Sequence, residues 1–126
     1  MEGLHLTADL RGCRCEGAWL TDASRLLARC VALVQTAELQ AVAQLAHRFP
    51  DTPHGPGGVT ATVLLAESHL CVHTWPEQRG ATLDVYVCNL GADHSAKAQS
   101  LLASLLALFD AEDVRQQALR RGTLTP

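Results

Sequence analysis

Three runs of β-branched and aliphatic residues follow one another between Val59 and Cys88: VTATVLLA, LCVHTW and ATLDVYVC. The connections between them, ESH and PEQRG, are far too short for the crossover of a dozen or more residues that parallel strands need. The runs therefore predict neighbouring antiparallel strands joined by tight turns. Immediately upstream, residues 50–58 read PDTPHGPGG, with three prolines and three glycines in nine positions. Neither a helix nor a strand ladder continues through such a segment, so it is expected to be a loop.

The remaining segments fit around this sheet. Leu4, Leu6, Ala8 and Leu10 alternate with His5, Thr7 and Asp9 in the period-2 pattern of a half-buried strand, which is expected to stop at Gly12. Thr21 and Asp22 offer cap side chains to an amphipathic helix over residues 22–37, with Leu26, Leu27, Cys30, Val31, Leu33 and Val34 at helical spacing. Leu39 to Phe49 suits a helix by its Ala and Gln content but a strand by the alternation of Val42, Leu45, His47 and Phe49; the strand, ending at Phe49, is preferred. Asp93 to Asp110 carries Leu101, Leu102, Leu105, Leu106 and Phe109 on one helical face, and Val114 to Leu119 supplies a last strand. Two helices on one face of an antiparallel sheet make a two-layer α+β sandwich, expected as a single domain over residues 1–126.

Composition narrows the function. With 48% hydrophobic residues the chain has a core's worth of apolar surface, and a net charge of −3 with ten scattered Lys and Arg leaves no basic stripe for nucleic acid. The apolar stretches fall short of the roughly 20 residues that span a bilayer. Five cysteines, at 13, 15, 30, 71 and 88, cannot all pair and have no zinc-ligand spacing, so neither a disulfide scaffold nor a metal site is expected. An N-terminus with an acid at position 2 and polar residues among its first dozen lacks a signal peptide's pattern. The reading is a cytoplasmic protein with reduced thiols.

Chemistry-bearing residues concentrate from Glu67 to Cys88: Glu67, Ser68, His69, Cys71, His73, Thr74, Trp75, Glu77 and Cys88. On a strand, Cys71, His73 and Trp75 share one face. Each has a plain competing explanation. A serine after a glutamate is ordinarily a turn residue, a lone cysteine packs as a small hydrophobe, and Trp75 fills a core as readily as it lines a pocket. Cys13, Cys15, Cys30 and Cys71 are taken as structural, His69 as a lesser candidate that could equally cap a turn, and His5, His54 and His94 as solvent-facing or loop residues.

The stretch LLAESHLCVHTWPE, followed by LDVYVC, resembles the signature of the prokaryotic S-adenosylmethionine decarboxylases, in which AESH-x-x-x-HTWPE precedes a strand ending DV-x-x-C. The Gly12-Cys13 step, the His47-x-Phe49 pair and Gly58-Val59-Thr60 fit more loosely, so the likeness covers most of the chain. It implies a self-processing proenzyme. Ser68 attacks the carbonyl of Glu67, and elimination leaves chains 1–67 and 68–126, the second opening with a pyruvoyl group derived from Ser68. A carbonyl that condenses with a substrate amine supplies the electron sink that amino-acid decarboxylation needs. By the same resemblance, His73 assists processing as a base, Thr60 supports it where the family usually has serine, and Cys88 is the proton donor to the product carbon, its thiol poised near neutrality. Phe49 and Trp75 surround the adenine, and Glu77 binds the ribose hydroxyls.

The chain departs from that pattern in three places. Residues 78–84 read QRGATLD where the family is richer in aromatics, the 50–58 loop is longer than usual, and Asn89 replaces a glycine. Substrate choice is therefore open between S-adenosylmethionine, feeding spermidine formation, and ornithine or arginine on the same chemistry. A processing-dead regulatory paralogue and a non-catalytic binding module are further alternatives, opposed by the presence of Ser68, His73 and Cys88. A homodimer with sites near its interface is expected, since a chain this short can hardly enclose a nucleoside-sized ligand alone.

Overall fold

The computed structural model describes residues 2–89 and 91–122. Six strands form one sheet: β1 (Gly3–Cys13), β2 (Ala41–Arg48), β3 (Val59–Leu65), β4 (Ser68–Trp75), β5 (Gly80–Cys88) and β6 (Ala111–Arg121). Their order is β2-β3-β4-β5-β1-β6, and every neighbouring pair is antiparallel. Three helices accompany it: α1 (Ala18–Thr21), α2 (Ala23–Thr36) and α3 (Ser95–Phe109). The predicted α+β sandwich is the observed architecture.

The alternation that predicted the strands also sorts the sheet's two faces. Leu6, Ala8 and Leu10 of β1, Val59, Ala61 and Val63 of β3, Leu70 and Val72 of β4, and Leu83, Val85 and Val87 of β5 are buried together with Leu26, Cys30 and Val34 of α2 and Leu101, Leu105 and Phe109 of α3. This is one contiguous core. Burial pushes the Cys30 thiol up to about 12 and Cys13 up to about 11, so both behave as inert packing groups, as read from the sequence.

Three boundaries differ from expectation. The stretch between the predicted first strand and the predicted helix over 22–37 is not all connection: Ala18–Thr21 forms the short α1, after which Asp22 accepts from the Arg25 N–H to cap α2. Strand β1 runs through Gly12, which takes φ +67° where the ladder skips from Arg11–Asp113 to Cys13–Ala111. And β6 is longer than the segment 114–119: it pairs with β1 from Ala111 to Arg121. Its side chains are almost all exposed, so no alternation announces its ends.

Thr74 stands among the apolar residues of the core face, 5% exposed. Its Oγ1 accepts from the Val59 N–H at 2.9 Å and donates to the Leu20 carbonyl at 2.7 Å, tying α1, β3 and β4 at one point. Thr74→Val keeps the shape but orphans a buried donor and acceptor, and is expected to cost about 1–3 kcal/mol in chemical denaturation. Unchanged stability would contradict this role.

Candidate functional site

Among the described residues no helix packs on the second face of the sheet. By register it carries Thr60 and Thr62 of β3, His69, Cys71, His73 and Trp75 of β4, Thr82, Asp84, Tyr86 and Cys88 of β5, and His5, Thr7 and Asp9 of β1. Cys71, His73 and Trp75 share this face as the spacing predicts, with the His73 and Trp75 rings 6.2 Å apart. Thr60 lies directly across from His73, and its Oγ1 is 3.0 Å from His73 Nδ1, whereas the resemblance implied a hydrogen bond from Thr60 to the processing site.

At this end of β4 a solvent-open cavity of about 560 Å³ is lined by Phe49, Trp75, Glu77, Thr60, His73 and the 50–58 loop. All three predicted substrate-binding residues, Phe49, Trp75 and Glu77, border it, and its volume suits a nucleoside-sized ligand. One chain thus builds more of a pocket than its length suggested. The long loop forms a wall, contributing Pro50, Thr52, His54 and Pro56. It is held from both sides: the Phe49 N–H donates to the Gly58 carbonyl, and the Asp51 carboxylate accepts from the Gly57 N–H at 3.1 Å and from Arg48 at 2.7 Å. A Cβ on Gly57 would stand 2.0 Å from the Phe49 carbonyl oxygen, so the loop can close this tightly only with glycine there.

The predicted cleavage site lies at the opposite end of β4. Leu65 and Ser68 pair across a two-residue turn in which Glu67 takes φ +61°, a region that costs a non-glycine residue of order 1 kcal/mol. The Ser68 hydroxyl donates to the Ala66 carbonyl at 3.1 Å. Continuing the β4–β5 register beyond the His69–Tyr86 pair brings Cys88 opposite Glu67, so the predicted proton donor and cleavage site share one end of the sheet. His73 does not join them. Five residues of strand put it roughly 17 Å from Ser68, and an odd separation turns the two side chains to opposite faces.

Between the two ends lies a polar row that the sequence reading did not assemble. His5, Tyr86 and His69 sit side by side on β1, β5 and β4, with His5–Tyr86 centroids at 5.6 Å and Tyr86–His69 at 5.8 Å. His5 is neither solvent-facing nor in a loop. Its Nε2 lies 2.6 Å from Asp84 Oδ1, and its Nδ1 is 3.1 Å from Arg121 Nη1. Arginine only donates, so His5 Nδ1 accepts and Nε2 carries the proton that goes to Asp84. His69 is a strand residue rather than a turn cap, and its burial holds its imidazole below the usual range. His5, His69 and Asp84 place candidate metal-ligand atoms within 4.8 Å of one another, but both His5 nitrogens are committed to protein partners. The signal for this row was present in the alternation of residues 4–10, which assigns His5 to the face opposite Leu4 and Leu6.

Comparison with known proteins identifies the family. The S-adenosylmethionine decarboxylase family profile matches residues 4–122. The chain belongs to the S-adenosylmethionine decarboxylase family. It is 34% identical over 120 residues to the S-adenosylmethionine decarboxylase proenzyme of Aquifex aeolicus, covering 95% of this chain and 81% of that one. The proenzyme of Archaeoglobus fulgidus is 33% identical over 120 residues, covering 95% and 97%. Among solved structures, the adenosylmethionine decarboxylase from Aquifex aeolicus superposes with a TM-score of 0.81 at 29% identity, over 98% of this chain and 92% of that one. The relatives' naming as proenzymes fits a family of self-processing decarboxylases that act on a small molecule. Among the described residues no helix is long and apolar enough to cross a membrane.

The Gly57 N–H and then the Arg48 guanidinium hold the Asp51 carboxyl below the usual carboxylate range. A depressed folded-state pKa means that this brace is present at neutral pH and is lost as pH falls through the depressed value. The Gly57 amide resonance is therefore expected to titrate below the ordinary aspartate range, and Asp51→Asn to abolish that titration. A midpoint at or above the ordinary value would show that the brace does not exist.

Proposed function

We propose that this chain is the proenzyme of a pyruvoyl-dependent decarboxylase acting on S-adenosylmethionine, cleaved between Glu67 and Ser68 into chains 1–67 and 68–126. The observation that carries the reading is the placement of Ser68 directly after a left-handed Glu67 in a two-residue turn, with Cys88 across from it. The local chemistry fits formation of the group. Addition of the Ser68 hydroxyl to the Glu67 carbonyl carbon replaces the peptide by an ester and relieves the constraint that the turn places on Glu67. Removal of the Ser68 α-proton then expels the Glu67 carboxylate, and hydrolysis of the resulting enamine with loss of ammonia leaves the pyruvoyl end. That group supplies a ketone carbonyl able to withdraw the electrons released by decarboxylation.

The chain's own residues do the rest. Trp75 and Phe49 offer flat apolar surfaces for an adenine, and Glu77 offers a carboxylate for ribose hydroxyls, a set that suits a nucleoside better than free ornithine or arginine. Cys88 is the proton donor to the product carbon.

These parts are split between the two ends of the sheet, and two copies reunite them. The uncovered face exposes Leu45, Leu64, Leu119 and Trp75 at 75, 47, 58 and 42%. Stacked face to face about a twofold axis, two sheets bring the Ser68–Cys88 end of one protomer to the Thr60–His73–Trp75 end of its partner. The mature enzyme is thus a homodimer of processed protomers with two composite sites. His73, hydrogen-bonded by Thr60, then serves as the base that removes the Ser68 α-proton of the partner chain.

Purified protein is expected to run as two fragments, to remain whole as Ser68→Ala, and to release carbon dioxide from carboxyl-labelled S-adenosylmethionine but not from ornithine or arginine. An uncleaved wild-type chain would overturn the reading, and release from an amino acid alone would overturn the substrate. Trp75→Ala should process normally yet raise KM roughly tenfold, the loss of one base-stacking contact; an unchanged KM would remove Trp75 from the adenine site.

A further inference from the structure

Within one chain the Thr60–His73 pair lies at the far end of β4 from Ser68, and a different histidine lines a cavity together with Ser68. On the helix side of the sheet a cavity of about 210 Å³ is lined by Ser68, Val87, Glu38 and His94. His94 Nδ1 is buried and has no hydrogen-bond partner among the described residues. A buried ring nitrogen left in that state is uncommon in folded proteins. Its backbone is fixed on both sides. The His94 N–H donates to Asn89 Oδ1 at 2.8 Å and its carbonyl accepts from the Ala98 N–H at 3.0 Å. Asn89 also donates from Nδ2 to Ser95 Oγ at 3.1 Å, and its own N–H is held by the Glu2 carbonyl. Asn89 follows Cys88 directly, at the position where the chain departs from the family's glycine, so this departure is what ties the His94 loop to the cleavage end of β5.

Building on the reading of Ser68 as the processed residue, we propose that His94 is the base for the first step of processing and that Asn89 is the residue that positions it. As Ser68 Oγ bonds to the Glu67 carbonyl carbon, its proton passes to His94 Nδ1, which serves in the tautomer protonated on Nε2. The carbon–nitrogen bond of the Glu67–Ser68 peptide then breaks, and the same proton goes to the departing Ser68 nitrogen. The product is the ester, and His94 is returned unchanged. Glu38, Asp93, Lys97 and Arg120 are charged groups near this loop; Lys97 Nζ donates to the Glu38 carbonyl, and Asp93 accepts from the Ser95 N–H and feels the Arg120 charge. His94 therefore acts within its own chain, while the second step, removal of the α-proton, belongs to the partner's His73.

The test follows fragment formation in the full-length chain for wild type, His94→Ala, His94→Gln and Asn89→Gly, with hydroxylamine added to split any ester. Both His94 variants should cleave on the order of a hundredfold more slowly than wild type. They should accumulate no hydroxylamine-sensitive ester, and added imidazole should restore cleavage of His94→Ala. Asn89→Gly should be slowed less. Wild-type rates in the folded His94 variants, or accumulation of ester in them, would overturn the assignment while leaving Ser68 processing intact. A wild-type chain that never splits, alike with Ser68→Ala, would overturn the processing reading and this inference together.

Discussion

The rigidity of strand β4 governs everything else about this site. Its backbone is hydrogen-bonded to β3 on one side and β5 on the other, so Ser68 at its start and His73 five residues on cannot approach each other. Local rearrangement does not close a gap of roughly 17 Å across a central strand without breaking both ladders. A site that needs both residues must therefore take one of them from elsewhere. In the proposed homodimer the uncovered sheet face, with its half-buried His, Cys, Thr and Asp residues and its exposed leucines, is the surface a second copy would cover.

The two ends of the strand are built by different devices. The Thr60–His73–Trp75 end depends on the 50–58 loop, whose glycines allow backbone-to-backbone packing and whose Asp51 carboxylate ties Gly57 to Arg48. On the proposed reading this end serves recognition, and its long proline-bearing loop is one of three places where the sequence departs from the pattern it resembles. The Ser68 end depends on a tight turn with Glu67 in the left-handed region and on the Asn89-anchored loop that carries His94. On the proposed reading it is the end where the peptide bond is rearranged.

Much of this was legible in the sequence. The period-2 runs place the strands, their short connections make the sheet antiparallel, and parity sorts Cys71, His73 and Trp75 from Leu70, Val72 and Thr74. The same parity puts Ser68 and His73 on opposite faces, a consequence masked by family roles that group them in one site. Strand β6 was underestimated because an edge strand of Arg, Gln and Glu side chains shows no burial pattern. His5 and His94 were set aside because a lone histidine carries no local signal. The first acquires its Asp84 partner from 79 residues away in sequence, and the second is set by an asparagine five residues earlier whose side chain, not its spacing, does the positioning. The pocket was underestimated because nothing in the composition of PDTPHGPGG says that it folds back as a wall.

The composite site is tested most directly by pairing two dead chains. Ser68→Ala and His73→Ala, co-expressed with different tags, are purified as the mixed dimer and each chain is weighed by mass spectrometry. The account predicts that each variant alone stays whole, and that in the mixed dimer the His73→Ala chain is split into residues 1–67 and 68–126 while the Ser68→Ala chain is not. A mixed dimer in which neither chain is cut, or a His73→Ala chain that processes normally on its own, would contradict it.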